Sequence, residues 1–483
     1  MSRLALLALP LGLLACGSED LPGQGGGTDG GAWDGGAGDG GGQVADDGVR
    51  LSEVSATLGD TFQSFVTVSW TQEGTATTWV EATYDDDLLQ SPPRLTSPGA
   101  NQQLILGLPY SKPVSWRLKY DADGDLSTTA DLVTAGAGDI ITGSLPKGLP
   151  TPSVLVSDPD RWEPTGNYLL GSINQDGGGW TGGHYWKFII DRRGRVVWAH
   201  ETPDQHWSIF LRVAQSGDHI LWDEATYWSD WDAGQGSTVH RWYIDGTEIE
   251  EISTPGLHHA FTELPDGTLA WGAAADPYED LVKRTPGSDQ VQTIWSCQDF
   301  HAQADIRDSC QSNTLYHHEA TDTFLYSFYT TNTVVEIDHA SGQSLWWAGD
   351  VPGGYRFDPP ESQWSWQHGA NYLDDGHLLT STEDTHFGYA DYTVAREYLV
   401  DHDAGALVQV WSFGDGHDTY ASTAGEAHRL PSGNTLHNYG SHGSLKEVTP
   451  DGDVVWEVLW GGDRLLGRTV FLEDLHAFLP PTE

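Results

Sequence analysis

Histidines recur along this chain in one register. His206 precedes Leu211, His259 precedes Leu264 and His368 precedes Leu373, each by five residues, and His368 stands in the stretch Trp-Gln-His-Gly-Ala-Asn-Tyr-Leu-Asp-Asp-Gly that begins at Trp366. A neutral imidazole nitrogen is nucleophilic near pH 7 and can take up and release a proton or a transferable group. Imidazoles at equivalent places of a repeat are therefore candidates for a nucleophile and an acid/base. If their nitrogens met at one point, they would suit zinc or copper instead. No close-spaced ligand motif supports a metal, so neither a metal nor a cofactor is expected.

The elements that must position these histidines are short alternating strands. Six stereotyped pieces, residues 188–198, 242–252, 282–295, 334–346, 398–411 and 445–456, each carry an apolar alternation broken by a turn, and most close in tryptophan. With Trp198, Glu250, Trp295, Trp346, Trp411 and Trp456 equivalent, the steps are 52, 45, 51, 65 and 45 residues. Periods of this size predict an all-β fold, a six-bladed β-propeller over residues 153–483, because one such unit buries too little apolar surface to stand alone. Its innermost strands would bring the histidine register together at a central channel. Residues 49–136, with alternations such as Phe65 to Trp70 and Val114 to Tyr120, predict a small β-sandwich similar in architecture to fibronectin type III or immunoglobulin domains. Residues 137–152 would link the two.

Residues 1–16 read as an export signal: Arg3 precedes a short apolar run that is well below the ~20 residues of a membrane span. Leu13-Leu14-Ala15-Cys16 resembles a bacterial lipobox, which implies lipidation at Cys16 and a lipoprotein of the outer membrane, attached only through its acyl chains. Residues 17–48 are almost entirely Gly, Asp, Ala and Ser and would form a flexible spacer. The net charge of −47, from 70 acidic and 23 basic residues, excludes nucleic acid as a partner, since such a field repels phosphates. Cys297 and Cys310, thirteen residues apart in an exported chain, are expected to form a disulfide.

Four pieces carry a resemblance to a known family: Leu257-His258-His259 ahead of Leu264-Pro265-Asp266-Gly267; Val335-Glu336-Ile337-Asp338 running to Trp346; Trp366-Gln367-His368; and Arg429-Leu430-Pro431-Ser432-Gly433-Asn434-Thr435-Leu436. Together they resemble the bacterial arylsulfotransferases, over about residues 166–480. The resemblance implies transfer of a sulfuryl group from a small aromatic sulfate donor to a phenolic acceptor through a sulfated histidine. His368 matches the nucleophile and His259 the acid/base. The chain departs from the family at two places: Gln311 stands where a channel histidine is expected, and Tyr329 where an arginine is expected. Arg356, in the loop before His368, and Arg429, beside His428, are the replacements nearest in sequence. His206 would line the channel, and Trp366, with Trp364 and Trp207, could offer an aromatic face to an aryl ligand. The competing expectation is a propeller that binds a ligand or a protein without catalysis. The oligomeric state is not written in the sequence.

Overall fold

The computed structural model describes residues 48–122, 133–178, 183–203, 206–227, 234–275, 277–386, 389–416 and 419–481, with the backbone alone for Val133 and His259 and for residues 385, 386 and 389–391. Cys16 and the spacer as far as residue 47 lie outside the described residues. The chain is all-β, built from many antiparallel sheets, and among the described residues no helix is long and apolar enough to cross a membrane.

Two sheets come first. Arg50–Leu58, Val66–Glu73 and Gly99–Ile105 form one; Asp87–Gln90, Ala76–Tyr84, Pro113–Asp121 and Val133–Ile141 form the other, with Arg94–Thr96 on Ala76–Tyr84. Alternation puts Val66, Val68, Trp70, Val80, Trp116 and Leu118 into one shared core. The domain boundary expected at residue 136 falls inside the strand Val133–Ile141, which stays paired to its neighbour through Ile141 because those residues continue the ladder.

Six further sheets follow, four of them with four strands and two with five, each built on four strands in simple antiparallel order. The second runs from Leu211–Val213 to Glu248–Ser253, the third from Leu257–Glu263 to Gln292–Ser296 and the fourth from Ser312–His318 to Ser344–Ala348. The fifth starts at Ser365–Tyr372 and ends at Ala406–Phe413, with Arg356–Asp358 added in parallel on its outer side. Two sheets are assembled from distant segments. In the first, Leu466–Leu472 pairs with Tyr168–Asn174, ahead of Tyr185–Asp191 and Val196–Glu201. In the sixth, Ser153–Ser157 pairs with Val454–Leu459. Trp198, Glu250, Trp295, Trp346, Trp411 and Trp456 all lie on the fourth strands, paired with the third.

Each sheet shares a buried apolar cluster with the next. Trp198 meets Trp222, Val239 meets Phe261 and Trp271, Trp295 meets Tyr326, Trp346 meets Tyr398, and Leu379 meets Ala427. Phe188 of the first sheet packs with Leu445 and Trp456 of the sixth. Each fully buried large side chain contributes about 1.5–3 kcal/mol. Short first strands can lie close together because key positions lack a side chain: a Cβ on Gly369 would stand 2.5 Å from that of Glu426.

A buried clasp joins the sixth sheet to the first. Glu447, fully buried, takes the guanidinium of Arg192 on one oxygen, and on the other the Asn434 side-chain amide at 2.7 Å and the Glu163 backbone N–H at 2.5 Å. Arg192 lies over the rings of Trp162, Trp456 and Phe471 at 4.3–4.5 Å. Breaking a buried pair from one side strands the other charge. Glu447→Ala is therefore expected to cost about 3–5 kcal/mol, read as a lower urea midpoint; an unshifted midpoint would show the clasp to be idle.

Candidate active site

His368 lies in the first strand of the fifth sheet, at a distortion. Trp366 and Gly369 both have positive φ (51° and 66°), and the pairing register slips on either side of His368. A non-glycine residue held there marks strain that the surroundings must impose. The restraints are visible. The Asn332 side chain accepts from the Trp366 N–H at 2.8 Å, buried Gln367 donates to Ser327 and to the Phe328 carbonyl, and the Gly369 N–H donates to Thr314 Oγ1 at 2.7 Å.

The imidazole is oriented at both nitrogens. Nδ1 lies 2.8 Å from the Trp366 carbonyl, which cannot donate, so Nδ1 carries the proton; Nε2 then holds the lone pair and accepts from the Ala424 N–H at 3.2 Å. Burial, and secondarily the positive charge of Arg468, hold the ring down at about 4 against the Trp366 carbonyl, which works the other way. The ring is thus neutral at pH 7 although part of its surface stays open.

His368 walls a throat of about 20 Å³, shared with Phe210, Asn313, Ala424, Glu426 and Arg468. Glu426 and Arg468 also line a wider cavity of about 440 Å³ with Leu211, Arg212, His428 and Phe471. Arg468 donates to Glu426 at 2.9 Å and to Thr314 Oγ1 at 3.2 Å and lies 4.5 Å over the ring of Phe210. Arg212 donates to the Leu315 carbonyl at 2.7 Å. Burial, then the nearby charge of Arg468, lowers Arg212 to about 9, with Glu426 opposing. Burial would raise Glu426, but the charges of His428 and Arg468 hold it at about 2. The wider cavity is lined by three guanidiniums, Arg212, Arg429 and Arg468, and four carboxylates, Glu163, Glu263, Glu426 and Glu473, while the throat itself holds Arg468 and Glu426. The Asn313 Oδ1, buried in the same place, has no hydrogen-bond partner among the described residues.

Gln311 and Tyr329 are brought together: the Tyr329 hydroxyl donates to Gln311 Oε1, and its ring stacks on half-exposed Trp366 with centroids 6.0 Å apart. Burial, then the charge of Glu279, pushes Tyr329 up to about 12. His259 sits on the first strand of the third sheet, but its side chain lies outside the described residues. His206 is not at the throat; its Nδ1 is 3.4 Å from Glu224, beside the cleft between the first and second sheets. Among the described residues no cluster of metal-ligating atoms contains His206 or His368. Trp364 and Trp207 are core residues.

Arg356 is not a substitute cation. It lies on the outermost strand of the fifth sheet and donates to the Ala404 carbonyl at 3.0 Å, because proximity in sequence to His368 leads across the sheet and away from the first strands. Arg429 braces an edge, paired with Glu397 over the ring of Trp411. At the throat the cation beside His368 is Arg468; it and Arg212, which lines the wider cavity with Arg429, were missed by the sequence reading. Their signal was an arginine inside an otherwise apolar short strand, in a chain with few basic residues. Arg468 also lies after the last recognised repeat, on a strand that belongs to the first sheet.

Residues 275–461, well under half of the chain, match the model of the arylsulfotransferase (ASST) family. The match spans Gln311, Tyr329 and His368 and supports a sulfotransferase-like function. No curated protein matches the chain. Among solved structures, the chain is similar to a protein of unknown function from Bacteroides caccae (17% identity, 60% of this chain and 92% of that chain, TM-score 0.39). It is also similar to TolB from Acinetobacter baumannii (12%, 76% and 80%, TM-score 0.42) and to the β-propeller domain of Cps50 (Swd1) from Myceliophteria thermophila (14%, 66% and 88%, TM-score 0.38). These three likenesses are too distant to bear on the chemistry.

Proposed function

We propose that the protein is an arylsulfotransferase-like enzyme that moves a sulfuryl group between phenolic compounds through His368. The observation that carries this reading is a neutral imidazole with its proton fixed on Nδ1 and its lone pair on Nε2, lining a throat beside Arg468. The aryl group of the donor occupies the wider cavity and its sulfuryl group enters the throat. Nε2 attacks sulfur; the N–S bond forms as the S–O bond to the aryl oxygen breaks, and that oxygen takes a proton, for which His259 is the candidate donor. A phenol oxygen then attacks the same sulfur, its proton returns to the base, and the N–S bond breaks. Arg468 stabilises the sulfuryl oxygens. On this reading the six sheets are the blades of one propeller, residues 49–141 are a sandwich ahead of it, and Cys16 anchors an outer-membrane lipoprotein.

The test is release of phenolate from an aryl sulfate with a phenol acceptor present. Because a protonated ring cannot attack, the rate is expected to rise with pH through about 4 and to show no limb from this group between pH 5 and 8. A half-maximal point near 6.5 would refute a buried, neutral His368. The hydrogen-bonded Gln311 and Tyr329, standing where the family has a histidine and an arginine, favour a second reading, a propeller that binds aryl ligands without turning them over. Aryl sulfate that binds but releases no phenolate would select it.

A further inference from the structure

The cleft between the first and second sheets carries a group of residues that the proposed chemistry does not use. Further in, the two sheets meet through apolar side chains, but at this end Lys187 and His200 of the first face Trp222, Glu224 and His240 of the second. Lys187 is 1% exposed, 3.4 Å from Glu224 and 4.6 Å over the Trp222 ring. Its single charge answers Glu224, whose carboxyl, raised by burial, is brought down to about 2 by His240 and Lys187. Three more carboxylates, Glu201, Glu248 and Glu251, line the same cavity of about 480 Å³. His184 stands 3.0 Å from Glu201 and His240 2.8 Å from Glu248.

Strand register explains the convergence. His240 pairs across the ladder with Trp222 on one side and Glu251 on the other, so the three share one face. Glu248 comes back over the turn, with its Oε1 2.8 Å from His240 Nδ1. His240 Nε2 is engaged behind, 3.0 Å from Thr238 Oγ1 and 3.7 Å from Glu224. Hydrogen bonding of the far nitrogen to a hydroxyl or carboxylate is the arrangement that turns an imidazole toward a metal. One ring nitrogen of His240 and one oxygen each from Glu248 and Glu251 all lie within 4.8 Å of one another. Three N and O ligands around zinc at about 2.0–2.2 Å require only a small contraction of that triangle. The cavity side leaves a fourth position open. His200, packed among Trp198, Trp222 and Trp242 on the opposite wall, has no hydrogen-bond partner among the described residues, a second imidazole in reach of the same cavity.

We infer that His240, Glu248 and Glu251 form a binding site for a divalent transition ion of the zinc class, separate from the throat at His368. One nitrogen with two carboxylates suits zinc or cobalt, whereas calcium needs more oxygen ligands than the triangle supplies.

The test uses the full chain freed of metal, titrated with Zn²⁺ by calorimetry and with Co²⁺ by visible absorption. A site abolished or weakened at least about tenfold by His240→Ala, and likewise by Glu248→Gln or Glu251→Gln, is expected. The two glutamates lie at the surface, so those variants keep the fold if His240→Ala does not. A separate cluster, His317, Asp322 and His339, serves as control. His339→Ala should leave the His240-dependent site in place. No Zn²⁺ binding, binding unmoved by all three variants, or Ca²⁺ bound as tightly as Zn²⁺ would each overturn the assignment.

Discussion

His368→Ala is expected to lower aryl sulfate turnover by about 10⁴-fold or more, as removing a nucleophile that acts as one unit with its surroundings does. The argument lies in the geometry around Nε2. The Trp366 carbonyl fixes the tautomer, the bends at Trp366 and Gly369 turn the ring to the throat, and burial with Arg468 keeps it unprotonated. Apart from the contacts of its two nitrogens with Trp366 and Ala424, the backbone bends are held without the imidazole, through the Gln367 side chain, the Gly369 N–H and Asn332. The variant should therefore fold, with a near-unchanged unfolding midpoint. Added imidazole should restore a small part of the rate by entering the vacated throat. Wild-type protein quenched during turnover should carry sulfate on His368. Turnover that survives the substitution would remove the histidine from the chemistry.

Arg468→Met is expected to cost about 10²–10³-fold in kcat, the usual penalty for losing one preorganised group from an oxyanion-stabilising set. Because Arg468 also answers Glu426, the substitution leaves a buried carboxylate held, among the described residues, by His428 and by Thr469. The double variant Arg468→Met with Glu426→Gln separates the two effects. If it recovers stability but not rate, the charge serves the reaction; if both recover, Arg468 is structural. Arg468→Lys keeps the charge without the two-pronged contact and should fall between. Arg356→Ala should change neither rate nor stability. Should it prove as damaging as Arg468→Met, the placement of the cation at the throat would be wrong.

The sheet pattern was legible because each unit announces itself by local means. An alternating run, a turn with glycine and a closing tryptophan need no knowledge of distant residues, and Trp198, Trp295, Trp346, Trp411 and Trp456 took equivalent places. His368 was legible for the same reason, since Trp366-Gln367-His368 is a local motif. The cations were not. Arg212 and Arg468 line one cavity from strands 256 residues apart, and only the pairing of Leu466–Leu472 with Tyr168–Asn174 reveals that Arg468 belongs to the first sheet. Arg356 misled because a short sequence distance to His368 spans the width of a sheet. His240, Glu248 and Glu251 escaped notice because a ladder across a hairpin, not a fixed spacing, brings them together.

The strand Leu466–Leu472 has a bearing on when the molecule becomes competent. A nascent chain that has completed its second to sixth sheets already holds His368 in position, yet has no guanidinium from Arg468 next to it. That group arrives only when the late strand docks beside Tyr168–Asn174. A polypeptide clipped before that strand would keep the His368 side of the throat and lack the guanidinium opposite it.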